Sequence, residues 1–377
     1  MAIMQNEFPQ DSSLIYLNHA AVGPWPQRTR DAVMAFADEN LTRGAQHYPK
    51  WVDVETALRQ QFVQLLNAQS IDDIALVKNT SEALSMVAHG IEWQAGDNVV
   101  VPDSEFPSNR IVWQSLARYG VEVRWVDVSD AEDAAAAIIA RMDNKTRLLS
   151  TSSVQYDTGL RVDLKTLGEA CQQRNILFCI DAIQSIGVVP FDVDDIHADF
   201  VMADGHKWML GPEGLAVFYS RPAAREKLQL HEYGWHMVEE LYEFNNRDWQ
   251  VASSARRFEC GSSNMLAAHA LQASLSLLLE VGIEKIYANV LNNTQRLINE
   301  INNSSSLKLI TNPDKSSHAG IVTFKINNSN TDDIFNTLTA QNIVCAKRGG
   351  GIRFSPHFYT PTEKIDNAVK ILKQTVE

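Results

Sequence analysis

Asp199-Phe-Val-Met-Ala-Asp-Gly-His-Lys-Trp-Met-Leu-Gly-Pro-Glu-Gly214 decides how this 377-residue chain reads. An apolar strand runs into a polar turn that presents Lys207, and a Gly-Pro-x-Gly turn follows. The backbone direction is therefore fixed on both sides of the lysine, as a Schiff-base lysine requires. Taken alone, Lys207 is more simply a surface lysine in a strand-to-loop connection.

A second stretch changes that balance. Ile176-Leu-Phe-Cys-Ile-Asp-Ala-Ile-Gln184 is another apolar, parallel-type strand; its carboxyl end delivers Asp181, and Gln184 follows one turn on. Ligands of open α/β sheets bind outside the carboxyl ends of the strands, so Asp181 and Lys207 are expected in one crevice. An acid and a lysine there suit pyridoxal phosphate (PLP), whose chemistry needs a lysine and an acidic partner for the pyridinium nitrogen.

Strands alternating with helices extend this pattern in both directions and predict a mainly parallel sheet. Two amphipathic helices, 27–43 and 50–67, precede Asp73-Ile-Ala-Leu-Val-Lys78. Asn79-Thr-Ser-Glu-Ala83 then opens a capped helix ending near Gly90. Its start offers free N–H groups and the positive end of a dipole, with Thr80 and Ser81 as hydroxyl donors. A phosphate site and a plain N-cap fit these residues equally well. Further strands are read at 98–102, 121–126 and 146–154, with an alanine-rich helix over about 130–142. Residues 221–254 lose both periodicities and are rich in aromatics, as functional loops often are. Strands near 306–310, 320–326, 342–346 and 352–355, with helices near 331–341 and 361–376, read as an α+β unit. No Gly-rich dinucleotide fingerprint follows an early strand, which weakens a nicotinamide reading.

Length favours two domains. Hydrophobic residues make up 45% and charged residues 21%, an ordinary globular balance. A net charge of −13 argues against nucleic acid or an anionic membrane as partner. The first residues lack the basic and apolar runs of a signal peptide, and no uncharged apolar stretch approaches the ~20 residues of a membrane span. A cytoplasmic protein is expected. Cys171, Cys179, Cys260 and Cys345 show no metal-ligand spacing and read as reduced thiols, Cys179 as core; no metal site is expected.

Six stretches, in order, resemble the class V aminotransferase family of fold-type I PLP enzymes, which includes cysteine desulfurases, kynureninases and isopenicillin N epimerase-like proteins. They are Tyr16-Leu-Asn-His-Ala-Ala21, Asn79-Thr-Ser-Glu-Ala83, Asp181-Ala-Ile-Gln184, Asp204-Gly-His-Lys-Trp208, Arg257-Phe-Glu-Cys-Gly-Ser-Ser-Asn264 and Ile352-Arg-Phe-Ser-Pro-His-Phe-Tyr359. The resemblance implies an α/β fold with a large, mainly parallel seven-stranded sheet domain and a smaller α+β C-terminal domain. Residues 1–25 would form an N-terminal segment lining the site, 26–262 the PLP-binding domain and 263–377 the small domain.

The resemblance also distributes roles. Lys207 would carry the cofactor and move the α-carbon proton; Asp181 would pair with the pyridine nitrogen. Phe106 would stack on the ring, with core packing as its other reading. Gln184 would reach the cofactor's 3′-oxygen, and Thr80, Ser81 and His206 its phosphate, joined by Ser262 from the second subunit of a homodimer. Gln155 and Tyr156 would reach the cofactor or substrate, although the family's usual asparagine is missing there. Arg353 would bind the α-carboxylate of an amino-acid substrate, helped by Arg348 and by His19 at the entrance; a structural histidine and a solvated basic loop are the plainer readings of the last two. Asp204 departs from the serine often found there and is expected to orient neighbouring donors. The implied activity is aminotransfer or a C–S (β-)lyase reaction without a cysteine nucleophile. Cysteine desulfuration and epimerisation are alternatives, and a catalytically silent PLP-fold binding module is the non-enzyme one.

Overall fold

The unbroken apolar runs 99–102 and 176–180 can be buried only in a sheet covered on both faces, and that is the observed architecture. The computed structural model describes residues 6–129, 133–327 and 329–376. Its strands are β1 (Ile15–Tyr16), β2 (Ile74–Val77), β3 (Asn98–Pro102), β4 (Glu122–Val126), β5 (Thr146–Ser152), β6 (Leu177–Asp181), β7 (Phe200–Asp204) and β8 (Ala216–Ser220). After these come β9 (Leu307–Leu309), β10 (Val322–Ile326), β11 (Ile343–Val344), β12 (Ala346–Arg348) and β13 (Gly351–Phe354).

Seven strands form the large sheet in the order β2-β8-β7-β6-β5-β3-β4. β4, β3, β5, β6 and β7 run parallel, and β8 is antiparallel to both of its neighbours. Side chains alternate between faces. Leu149, Phe178, Ile180 and Val201 pack into one core, and Leu148, Cys179, Phe200 and Met202 into the other. The sequence reading passed over β8, because its run follows the Gly-Pro-x-Gly turn without an intervening helix. β8 makes the Lys207 segment a connection between adjacent antiparallel strands rather than a crossover.

A four-stranded sheet, β12-β13-β10-β9, is antiparallel and carries a third core of Phe324, Ile352, Phe354 and Leu372. The expected strand over 342–346 is divided: β11 pairs in parallel with β1, and β12 pairs with β13. The N-terminal segment is thereby fastened beside the C-terminal sheet. The helix Met265–Val281 packs against the helices Gln27–Arg43 and Tyr48–Leu66, and its Leu271, Leu275 and Leu278 enter the core of the large sheet. The alanine-rich helix spans Ala134–Ala140; residues 130–132, where its start was expected, lie outside the described residues. No single helix among the described residues is long and apolar enough to cross a membrane.

Candidate active site

Parallel strands end together, so their last residues converge. Asp181 ends β6, Asp204 ends β7, and the two strands pair with Asp181 opposite Met202. With Lys207 they line a cleft of about 220 Å³, together with Thr80, Ser81, Phe106, Ser108, Tyr156, Gln184, His206, Arg348 and Arg353. Ala20 and Ala21 of the N-terminal segment close one side. A larger cleft of about 1080 Å³ lies elsewhere, but its charged groups are ones such as Lys165 and Asp195, which are exposed and paired with each other at 2.5 Å.

The Lys207 loop is built tightly. Gly205 N donates to Leu215 O at 3.0 Å and Gly211 N to Gly205 O at 2.8 Å. Trp208 is fully buried; its Nε1–H donates to Gln184 Oε1 at 2.7 Å, and its carbonyl accepts from His357 Nε2 at 3.0 Å. The lysine is thus anchored by its own neighbour while its side chain reaches into the cleft. Lys207 Nζ lies 5.6 Å from the centroid of the Phe106 ring. Burial pushes its amine down to about 8, with Arg353 and Arg348 adding to the effect and Asp181 and Asp204 opposing it.

Asp181 is buried, which pushes its carboxyl up to about 6 against the Ile183 N–H that it accepts at 3.0 Å. Arg353, on β13, is 2% exposed. Its Nη1 donates to Tyr156 O at 2.5 Å and its Nη2 reaches Asn18 Oδ1 at 3.5 Å, while Nε has no partner. Burial and Arg348 lower its pKa to about 10, so it stays charged at neutral pH. A buried cation held by carbonyl oxygens alone is poised for a carboxylate. Arg348 reaches the same cleft from the end of β12, its Nη1 donating to Lys347 O at 2.8 Å.

Not every expected residue arrives. His19 is fully buried away from the cleft: Nδ1–H donates to Ser355 O at 2.9 Å and Nε2 accepts from Tyr359 Oη at 2.7 Å. Both ring nitrogens are spent, and burial holds the ring neutral, so the substrate contact is replaced by a structural role. Gln155 is also fully buried and does not line the cleft; its Nε2 donates to Glu105 Oε1 at 2.7 Å. Ser262 is exposed and lies outside the cleft of its own chain. Gln184 does line the cleft, although Ala20 O and Trp208 Nε1 already engage its amide.

Glu105 was missed. It is 1% exposed beneath Phe106 and accepts from Ser152 N at 2.6 Å, Asn109 Nδ2 at 2.8 Å and Gln155 Nε2 at 2.7 Å. Its spacing of four from Asn109 was the available signal. The carboxyl joins the β3 turn that carries Phe106 to the end of β5 that carries Tyr156, whose rings meet edge to face at 5.1 Å.

Several known proteins are similar to this chain. A probable cysteine desulfurase from Methanothermobacter thermautotrophicus is 28% identical, with 99% of this chain and 96% of the relative covered. An uncharacterized aminotransferase from Bacillus subtilis is 27% identical over 90% of this chain and 88% of its own length. Among solved structures, a lysine-to-alanine mutant of C-DES with glycine covalently linked to its PLP cofactor superposes with a TM-score of 0.91 at 22% identity, covering 98% of each chain. The cystine C-S lyase C-DES, in complex with its product cysteine persulfide, gives a TM-score of 0.89 at 23% identity over 97% of this chain and 99% of its own. These two share the fold. The family model for aminotransferase class-V matches residues 15–367, and the chain belongs to that family.

Proposed function

We propose that this chain is a PLP-dependent enzyme acting at the α-carbon of an amino acid, by aminotransfer or by C–S cleavage that uses no cysteine nucleophile. The carrying observation is Lys207: a buried amine, low in pKa and without a hydrogen bond among the described residues, in a cleft shared with Asp181 and Arg353. The residues fit the cofactor. Arg353 Nε and His206 Nδ1 are buried polar atoms without partners, and the Phe106 ring is 39% exposed in the same cleft. Thr80, Ser81 and His206 would hold the phosphate, with Ser262 from a second copy of this chain.

PLP, when bound, supplies a carbonyl for the substrate amine and an aromatic ring that draws electrons from the α-carbon. The chain supplies the rest. Lys207 Nζ, uncharged in an appreciable fraction near neutral pH, would hold the cofactor and, released from it by substrate, would take the proton from the α-carbon. Asp181 would keep the proton on the pyridine nitrogen. Arg353 holds the α-carboxylate in a bidentate pair, oriented by the Tyr156 carbonyl. Tyr156 and Phe106 exclude water from one side.

None of the four cysteines lines the cleft. Cys345, nearest in sequence to Arg353, is buried, and burial pushes its thiol up to about 12. This supports direct departure of sulfur from the substrate if C–S cleavage is the reaction. Four unpaired thiols also support a reducing, cytoplasmic compartment. The test is borohydride reduction of the purified protein with peptide mapping, followed by a screen of amino acids for pyruvate, sulfide or amino-group transfer. A pyridoxyl label on any residue but Lys207 sinks the assignment.

A further inference from the structure

The start of the helix Thr80–Gly90 attracts anions through its dipole and free N–H groups, yet one anion there is already part of the chain. Asp204 Oδ1 accepts the Thr80 N–H at 3.1 Å, and the Asp204 N–H donates to Thr80 Oγ1 at 3.2 Å. Asn79 Oδ1 takes the Glu82 N–H at 2.9 Å. The Asp204 carboxylate therefore stands in the cleft beside Ser81 and His206, where a phosphate would be held.

The surrounding charges do little to separate two anions. His206 Nδ1 lies 3.8 Å from Asp204 Oδ2, but burial lowers that ring to about 4 and keeps it neutral. Lys207 favours the charged carboxylate, whereas Glu213 opposes it, and Asp181 is close enough for its own carboxyl to be raised by Asp204. In a poorly solvated cleft, like charges this close cannot both stay ionised without a large penalty, and one proton between them is the usual relief. Burial has already moved Asp204 up to about 6.

We infer that Asp204 is protonated when the cofactor's phosphate is bound, so that loading takes up a proton; this rests on the PLP reading above. One proton passes from solvent to Oδ2. Oδ1 keeps the Thr80 N–H, and the new O–H donates to a phosphate oxygen. Asp204 is thus a positioning residue that does a hydroxyl's work only in its neutral form, and cofactor affinity falls as pH rises.

Calorimetric titration of the cofactor-stripped full chain, in two buffers of different ionisation enthalpy, counts the protons. PLP is compared with pyridoxal, which makes the same link to Lys207 but has no phosphate. At about pH 8, PLP should take up about one proton more than pyridoxal in the native protein, and no excess in Asp204→Asn. Asparagine keeps the acceptor for Thr80 without the charge, so this variant should bind PLP about tenfold or more tighter than the native protein at that pH, the gap closing toward about pH 6. Asp204→Ser, which supplies a hydroxyl donor, should likewise show no excess. Equal uptake in native and variant proteins, or weaker PLP binding by both variants at every pH, overturns the inference. If PLP fails to bind the native protein at all, the cofactor reading falls, and this inference with it.

Discussion

Two buried charge clusters in this molecule differ in how completely they are paired. Arg59 donates from Nη1 to Glu259 Oε1 at 2.6 Å and to Ile74 O at 3.0 Å, and from Nη2 to Glu55 at 2.5 Å and Glu259 Oε2 at 2.8 Å. Leu76 N donates to the same Glu259 Oε1 at 2.8 Å, and Ser263 Oγ to the same Glu55 Oε1 at 3.2 Å. The site of three potential metal ligands formed by Glu55, His236 and Glu259 thus already holds a cation, the guanidinium. His206 Nδ1 and His236 Nδ1 are unpaired in both clusters alike, but around Lys207 the guanidinium of Arg353 keeps a buried Nε without a partner and the amine faces an aromatic ring. Both clusters lose water, but partners raise Arg59 above its ordinary range, whereas Lys207 and Arg353 are lowered. A buried charge that the chain has already neutralised maintains structure; one left short of partners is held for something that arrives.

The sharpest way to break this contrast is Lys207→Ala, which should abolish covalent cofactor capture and turnover while leaving the thermal transition near the native one. In the native protein the capture rate should climb about tenfold per pH unit and level off near about pH 8, because only the neutral amine attacks. Stopped-flow absorbance reads this, and a rate independent of pH would show that the amine is not the titrating group. Arg59→Met should do the reverse. Leaving Glu55 and Glu259 buried without their cation costs about 3–5 kcal/mol of stability, so denaturant midpoints should drop sharply while PLP capture by the folded fraction persists.

Smaller effects sharpen the comparison within the cleft. Asp181→Asn removes a preorganised charge and should slow turnover by roughly 10²–10³-fold with PLP still bound; near-native turnover would make the acid structural. Arg353→Leu loses a charge-assisted pair worth roughly 1.5–3 kcal/mol, so KM for amino acids should rise by about ten- to a hundredfold while cofactor affinity barely moves. Arg353→Lys should restore only part of that. Replacing Cys345, and then all four cysteines, with serine should leave product formation intact in any variant that folds. A persulfide trapped on Cys345 and lost with activity would restore the cysteine desulfurase reading.

Periodicity made the parallel strands and their helices legible, because burial on both faces leaves an unbroken apolar run that ends where the site begins. Lys207 and Asp181 were legible for the same reason, each sitting at or just beyond the end of a parallel strand, whereas Arg353, inside the antiparallel β13, was legible through the family resemblance. β8 was not, since an antiparallel neighbour needs no crossover helix to announce it. His19 and Gln155 misled because their sequence positions are near the cleft while their hydrogen bonds turn them toward the interior. Hydrogen-bond partners such as Glu105 for Gln155, 50 residues apart, leave no local trace. Asp204 is the opposite case: the sequence showed a carboxylate where a hydroxyl is usual, and the structure shows the Thr80 N–H that it orients.

Gly23 lies across the back of the Lys207 loop, where its N–H donates to His206 O at 2.7 Å. A Cβ built there would stand 2.3 Å from the Lys207 carbonyl oxygen and 2.8 Å from Leu210 Cδ2, whereas one at Gly261 would meet nothing within 4 Å. A saturation library should therefore tolerate almost no replacement at residue 23 and nearly any small residue at 261. An N-terminal residue with no chemistry of its own would rank with the lysine in mutational intolerance.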